Sequence, residues 1–328
     1  MSRTPPPVVA IDLGGTKALA GVVELDGTVR SRVSLPSRDL SGRPAELLDR
    51  LAEGAEAAAT QAGVPFEAVA AVGLCVPGPL DQSRSVVAMA PNLGWVNLPV
   101  REELERRLPH TSVFVENDVR AAALSEHKLG VGRGSESMLA VFVGSGVGGG
   151  IIVNGSLYHG AHGGAGEIGH MVVRAGGPRC GCGRAGCLEA MAARDAVGRY
   201  VIQEVKCGHS TVLTEILHGN LRALTSRDLA KAIAQSDPVA IRAARRSARY
   251  TGLAIGGVVN LLDPGVVVIG GGVAEALGPR YVTWAAEIAR RQILASSAKT
   301  LPIVMSQLRD DAGLLGAAMT AFAGLTIG

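Results

Sequence analysis

Aromatic side chains make up only 3% of this 328-residue chain, so its core must be built from Ala, Val, Leu and Ile. Cysteine is scarce as well. Five residues, odd in number and mostly clustered, exclude a disulfide framework and leave metal or redox chemistry. An excess of charge of one sign is nearly absent: a net +3 is far from the concentrated positive charge of a nucleic-acid-binding domain, although a pI near 8.7 leaves weak anion attraction. The run RAARRSARY (242–250) is the one basic candidate. Its Arg residues alternate with Ala at helical spacing without an aromatic ladder, so it reads as a solvated helix face. Long apolar runs are missing too. No segment reaches the roughly 18 residues of a membrane span, and the run VVAI after MSRTPPP stops at Asp12, which excludes a signal peptide. A cytoplasmic protein with no membrane or nucleic-acid partner is the expectation.

What the chain has in quantity is glycine, 44 residues, with a hydrophobic fraction of 47%. Many tight turns between short apolar runs suit an α/β protein, and the length suggests two domains. VVAIDLGGTKALAGVVEL (8–25) is two apolar runs joined by a Gly-rich turn, a β-hairpin feeding a third strand. MLAVFVGSGVGGGIIVNG (138–155) repeats the layout, which predicts a duplicated fold. PAELLDRLAEGAEAAATQAG (44–63) places Leu and Ala at 47, 48, 51, 55 and 58, the spacing of an amphipathic helix. SVFVEND (112–118) is a strand breaking into the helical pattern VRAAALSEHKLG, and polar residues at such a junction sit at the sheet edge where α/β proteins bind ligands. SARYTGLAIGGVVNLLDP (247–264) reads as a helix, followed by the strand GVVVIGGG and another helix; DDAGLLGAAMTAFAG (310–324) is a short apolar helix. The expected organisation is a disordered leader (1–7), a smaller α/β domain (8–118) with the helix of 310–328 packing back on it, and a larger α/β domain (119–309).

Three of the five cysteines fall within eight residues, in CGCGRAGC, ten residues after EIGH. Cys180, Cys182 and Cys187 offer soft thiolates, the intervening glycines let the backbone wrap, and His170 is the nearest fourth ligand for a closed tetrahedral Zn²⁺ in a loop over 170–187. Three reduced surface thiols are the other reading. Zinc on one imidazole nitrogen would leave the other facing a ligand. Glu167, three residues earlier, and Glu189, two residues after the last cysteine, could then accept hydrogen bonds from hydroxyls beside it.

DLGGTK offers the amides of Gly14 and Gly15, the Thr16 hydroxyl and the Lys17 cation to phosphates, and Asp12 could hold Mg²⁺ through water. It has neither the spacing of a Walker loop nor the helix a Rossmann turn requires. GSG (Gly144, Ser145, Gly146) repeats the arrangement, and GGG (270–272, with Gly271 and Gly272) stands between a strand and a helix. Together they fit a nucleotide, although either hairpin turn alone reads equally as structure. Asp118 is the candidate general base for phosphoryl transfer to an alcohol; equally, Asn117 or Asp118 could simply cap the helix. A helix N-terminus is expected to lower the pKa of Asp118 and keep it ionised.

DLGGTK, VPGP (76–79), PNLGW (91–95), ENDVRAAALSE (116–126), GSGVGGGIIVNG, GAHGGAGEIGH (160–170), CGCGRAGCLE and DPGVVVIGGG together resemble, in order and across nearly the whole chain, the ROK family of sugar kinases and repressors, and within it the bacterial glucokinases. The resemblance implies an actin/hexokinase-like, ribonuclease H-like duplicated fold with a cleft between two domains, binding glucose and Mg·ATP. Asp118 would take the proton of the 6-hydroxyl, with Asn117 and Asp118 on the 3-, 4- and 6-hydroxyl side, and Gly78 and Asn92 would also be substrate-binding residues. Glu167, His170 and Glu189 would read the 1- and 2-hydroxyls. The two hairpin turns would hold phosphates and GGG the adenosine, with Mg²⁺ catalytic and Zn²⁺ structural. Ser145 stands where many relatives have Thr, and Ala90 where some amino-sugar kinases have Thr, which leans towards glucose. Kinases for N-acetylmannosamine, N-acetylglucosamine, mannose or fructose are the alternatives. A sugar-sensing repressor is disfavoured, because the first strand begins at Val8. Homodimers or homotetramers are common in the family.

Overall fold

A computed structural model describes residues 5–327. Of the leader expected over 1–7, residues 1–4 lie outside the described residues. Pro7 is already tied in, its carbonyl accepting from the Ala70 amide at 2.9 Å. The chain divides into two compact units: 1–134, 156–165 and 310–328 form the first, and 135–155 with 166–309 the second.

The first unit is built on strands β1 (Val8–Leu13), β2 (Lys17–Val23), β3 (Val33–Pro36), β4 (Val72–Val76) and β7 (Val113–Asn117), ordered β3-β2-β1-β4-β7, with β5 (Val87–Ala90) and β6 (Trp95–Leu98) as a separate antiparallel pair. The three chain-adjacent strands pair antiparallel, as Gly-rich turns allow, while β4 and β7 join parallel. Helix α1 (Pro44–Gln61) begins on Pro at N1, where a missing N–H costs nothing, and buries Leu47, Leu48, Leu51, Ala55 and Ala58. Helices α2 (Val100–Arg107), α3 (Asp118–Lys128) and α11 (Ala312–Ile327) complete the unit. Strand side chains alternate between faces: Leu74 packs in the core with α1, whereas a Cβ on its neighbour Gly73 would lie 1.9 Å from the Ala317 carbonyl oxygen of α11. The unit runs past the expected boundary at 118, to Gly134, because α3 packs against α11; the chain then returns to it over 156–165, carrying the short strand β10 (Ser156–Leu157).

The second unit holds β8 (Met138–Val143), β9 (Val147–Val153), β11 (Val266–Gly270) and β12 (Ile303–Met305), adjacent in the order β9-β8-β11-β12. As in β2-β1-β4-β7, a hairpin opens the motif and parallel strands follow. Its helices are α4 (Leu188–Ala192), α5 (Arg194–Lys206), α6 (Leu213–Ile216), α7 (Ser226–Ala234), α8 (Pro238–Leu262), α9 (Gly272–Leu277) and α10 (Pro279–Gln292). The basic run lies on α8, but not as a bare solvated face: Arg245 stacks on Trp284, and Arg246 on Tyr200 and Tyr250. Two of those rings come from α5 and α10, which spacing along α8 does not reveal. No helix among the described residues is long and apolar enough to cross a membrane.

Candidate active site

Parallel pairing brings the ends of β1, β4 and β7 to one edge of the first unit's sheet. Asp12 pairs with Cys75, and Cys75 with Glu116, so acidic residues flank a central thiol. Burial, then the charges of Asp12, Asp118 and Glu116, push that thiol well up, which makes Cys75 an inert part of the floor. Asn117 caps α3: its Oδ1 accepts from the amides of Val119 and Arg120 at 3.1 and 3.2 Å. Its Nδ2 donates to the Gly78 carbonyl at 3.1 Å and to Asp118 Oδ1 at 2.9 Å, and Oδ1 of Asp118 also accepts from the Val119 amide. Capping and orientation of the carboxylate are therefore done together by adjacent residues. Gly78 has φ +93 and a Cβ there would lie 2.1 Å from the Met89 carbonyl oxygen, so this loop position requires glycine.

The pKa of Asp118 runs opposite to the expectation. Burial raises it to about 6, Asp12 adds to the rise, and the helix amide and Asn117 oppose it without winning. Asp12 is raised by burial too, with Lys17 pulling it back. Its carboxylate lies against α11, where a Cβ on Gly313 would stand 2.3 Å from Oδ2.

The Gly14–Lys17 turn is closed by the Gly14 amide donating to the Lys17 carbonyl, and Ser37, buried, donates to the Gly14 carbonyl at 2.8 Å. Thr16 and Lys17 are exposed. Asn92 lies beside this turn, its Cβ 3.1 Å from where a Cβ on Gly15 would be. That places it at the candidate phosphate loop, whereas Gly78, Asn117 and Asp118 are joined by hydrogen bonds.

In the second unit the turn of Gly144, Ser145 and Gly146 is tighter, with Val143 opposite Val147. A Cβ on Gly144 would lie 3.7 Å from the Gly272 amide nitrogen, so this turn lies against the start of α9. Glu167 and His170 flank a single 3-10 turn, the His170 amide donating to the Glu167 carbonyl at 3.0 Å; residues three apart on such a turn share a side. Gly169 between them abuts the Val147 carbonyl, 1.8 Å from a hypothetical Cβ.

His170, Cys180, Cys182 and Cys187 bring their ligand atoms within 4.8 Å of one another. Cys182 and Cys187 sulfurs are 3.7 Å apart, as are Cys180 Sγ and His170 Nδ1; two thiolates on tetrahedral zinc stand roughly 3.8 Å apart. Hydrogen bonds from Arg184 lower Cys182 to about 6, whereas burial pushes Cys180 up to about 12. The set fits a closed metal site. Glu189 ties it to the Gly144–Gly146 turn: Oε2 accepts from the Val147 amide at 3.1 Å and Oε1 from Cys180 at 3.6 Å.

Sequence reasoning did not single out Glu116, Arg120 and His159. Glu116, 1% exposed, receives His159 Nε2 at 2.6 Å, and Arg120, 4% exposed, donates to the Gly163 carbonyl at 2.6 Å. Glu116 stands within the quoted ENDVR, and a charge inside a strand of valines was the available signal.

The chain is 34% identical over 322 residues to a glucokinase of Thermotoga maritima, covering 95% of this chain and 96% of that one. It is 33% identical over 317 residues to an N-acetylmannosamine kinase of Escherichia fergusonii, covering 95% and 97%. A crystal structure of a ROK family glucokinase from Streptomyces griseus, in complex with glucose and AMPPNP, superimposes with a TM-score of 0.83 at 32% identity, covering 97% of this chain and all of that one. The fold is the actin/hexokinase-like two-domain α/β fold. Residues 8–323, nearly the whole chain, match the profile of the ROK family, and the chain belongs to it.

Proposed function

We propose that this protein phosphorylates glucose at the 6-hydroxyl from ATP, giving glucose 6-phosphate and ADP. The observation that carries the reading is Asp118: a desolvated carboxylate held through Oδ1 by Asn117 and the Val119 amide, with a pKa near 6. In that role it accepts the proton of O6 as O6 attacks the γ-phosphorus and ADP leaves, a contribution of about 10²- to 10⁴-fold. At pH 7 such a group is mostly ionised, yet basic enough to take the proton.

Asn117 and Gly78 keep Asp118 in place and take the 3- and 4-hydroxyl side. Glu167, His170 and Glu189 read the 1- and 2-hydroxyls, with His170 Nδ1 directed at the cysteines and Nε2 left for the sugar. Zinc on His170, Cys180, Cys182 and Cys187 would brace this wall. Amides of Gly14, Gly15 and the Gly144–Gly146 turn, with Thr16, Lys17 and Ser145, suit the phosphates, Gly271 and Gly272 the adenosine. Mg²⁺, held through water by Asp12, would supply charge neutralisation at the phosphates. The position of Asn92 beside Gly15 favours a role at the phosphate end over a sugar contact. Similarity to glucokinases, one of them solved with glucose and AMPPNP, supports both substrates.

Initial rates with Mg·ATP across glucose, mannose, fructose, N-acetylglucosamine and N-acetylmannosamine test the reading, beside Asp118→Asn. Preference for glucose that vanishes in the variant is expected. The similarity to an N-acetylmannosamine kinase favours a second reading in which the same machinery acts on that sugar; a rate higher there than on glucose would establish it.

A further inference from the structure

The segment 156–165 belongs to the first unit, although the chain on both sides of it belongs to the second. Side chains anchor it there. Glu116 accepts from His159 Nε2 at 2.6 Å, with Arg84 3.7 Å from the same carboxylate oxygen. Arg120 donates to the Gly163 carbonyl at 2.6 Å, and Gln82 to the Ala161 carbonyl at 3.1 Å. Glu116 and Arg120 are among the few charged residues buried almost completely. Burying a charge costs several kcal/mol unless it is paired and hydrogen-bonded, so both side chains must be held by directional bonds, and the segment supplies one to each.

Their places in the chain give these bonds a purpose. Glu116 lies two residues before Asp118, at the end of β7, and Arg120 two residues after it, in the first turn of α3. The anchored segment ends two residues before Glu167. An apolar contact would let the segment slide, whereas directional bonds from buried charges fix it. Resting on the kinase reading above, we infer that Arg120 and Glu116 are positioning residues: they lock the segment leading to the hydroxyl-reading Glu167 onto the strand–helix junction that carries Asp118. Their effect falls on hexose binding and not on the nucleotide.

The test compares wild type with Arg120→Ala, Arg120→Lys and His159→Ala, measuring KM for glucose and for ATP separately, with melting temperature as a control. Weakening one or two hydrogen bonds to sugar hydroxyls costs from about twofold to more than tenfold in affinity, so Arg120→Ala should raise the glucose KM about tenfold while the ATP KM stays within about twofold. Arg120→Lys, which keeps a buried cation and a donor, should recover part of the loss. A purely structural role would lower the active fraction, reducing apparent kcat with both KM values unchanged, and that result overturns the inference. Should Arg120→Ala not fold, the partly exposed His159→Ala carries the same comparison. A wild type that phosphorylates no hexose overturns the kinase reading and this inference together; an active wild type with unchanged KM values in the variants overturns this inference alone.

Discussion

The Nδ2 of Asn117 donates to Oδ1 of Asp118 over 2.9 Å while the Oδ1 of Asn117 caps the helix that Asp118 begins. The two duties can be separated. Asn117→Ala should cost about 0.5–2 kcal/mol through the lost cap and lower turnover as well. Asn117→Ser restores a cap oxygen but no amide donor, so its melting temperature should recover while its turnover does not. Recovery of both would assign the Asn117–Asp118 bond no part in the reaction.

The raised pKa of Asp118 sets an acid limb. kcat/KM should fall about tenfold per pH unit below a midpoint near 6. Stability moves the other way: a carboxyl raised above its unfolded value of 3.8 costs folding free energy as pH climbs from about 4 through 6, because the unfolded chain ionises first. Asp118→Asn, which keeps an oxygen for the Val119 amide, should gain on wild type in melting temperature across that window and hold the gain at pH 8. A melting difference flat from pH 4 to pH 8 would contradict a raised pKa.

Metal removal is expected to act locally. Structural zinc sites in small peptides contribute about 10 kcal/mol or more, and here the loop over 170–187 would lose its closure. Cys182→Ser, or chelation, should bring bound zinc below one equivalent, speed amide exchange over 170–187 and weaken hexose affinity more than ATP affinity. Full zinc content with normal hexose affinity in Cys182→Ser would remove the metal from any role in sugar binding.

Gly313 tests the other carboxylate. A Cβ there meets Asp12 Oδ2 at 2.3 Å, so Gly313→Ala must displace the carboxylate or the start of α11. Overpacking of this kind costs about 1–3 kcal/mol. If Asp12 serves the metal–phosphate end, the variant should raise the ATP KM while leaving the glucose KM nearly unchanged.

Much of this was legible where the physics is local. The hairpins of β1–β2 and β8–β9 follow from glycines between short apolar runs, and the cysteine cluster follows from spacing, since residues so close in the chain are held close in space. The junction of β7 and α3 was visible because Asn and Asp interrupt a strand pattern. What the sequence hid is whatever depends on distant partners. Glu116 meets His159 across 43 residues, and the rings beneath Arg245 and Arg246 are supplied partly by other helices. The direction of the Asp118 shift was hidden too, because the helix N-terminus is readable in the chain and burial is not. A boundary near 118 follows from the motif break; only the packing of α3 on α11 explains why the first unit continues to Gly134.

The chain passes between its two units four times, and α11, which covers one face of the first sheet, comes after every part of the second unit. The half that begins first is therefore finished last. As the chain emerges from the ribosome at about 5–20 residues per second, β1, β4 and β7 must wait with one face bare until residues 312–327 arrive, while the intervening unit already has all its parts. A truncation that removes only this terminal helix should leave the second unit folded and the first prone to aggregate. Chaperone dependence during synthesis should accordingly track the amino-terminal strands.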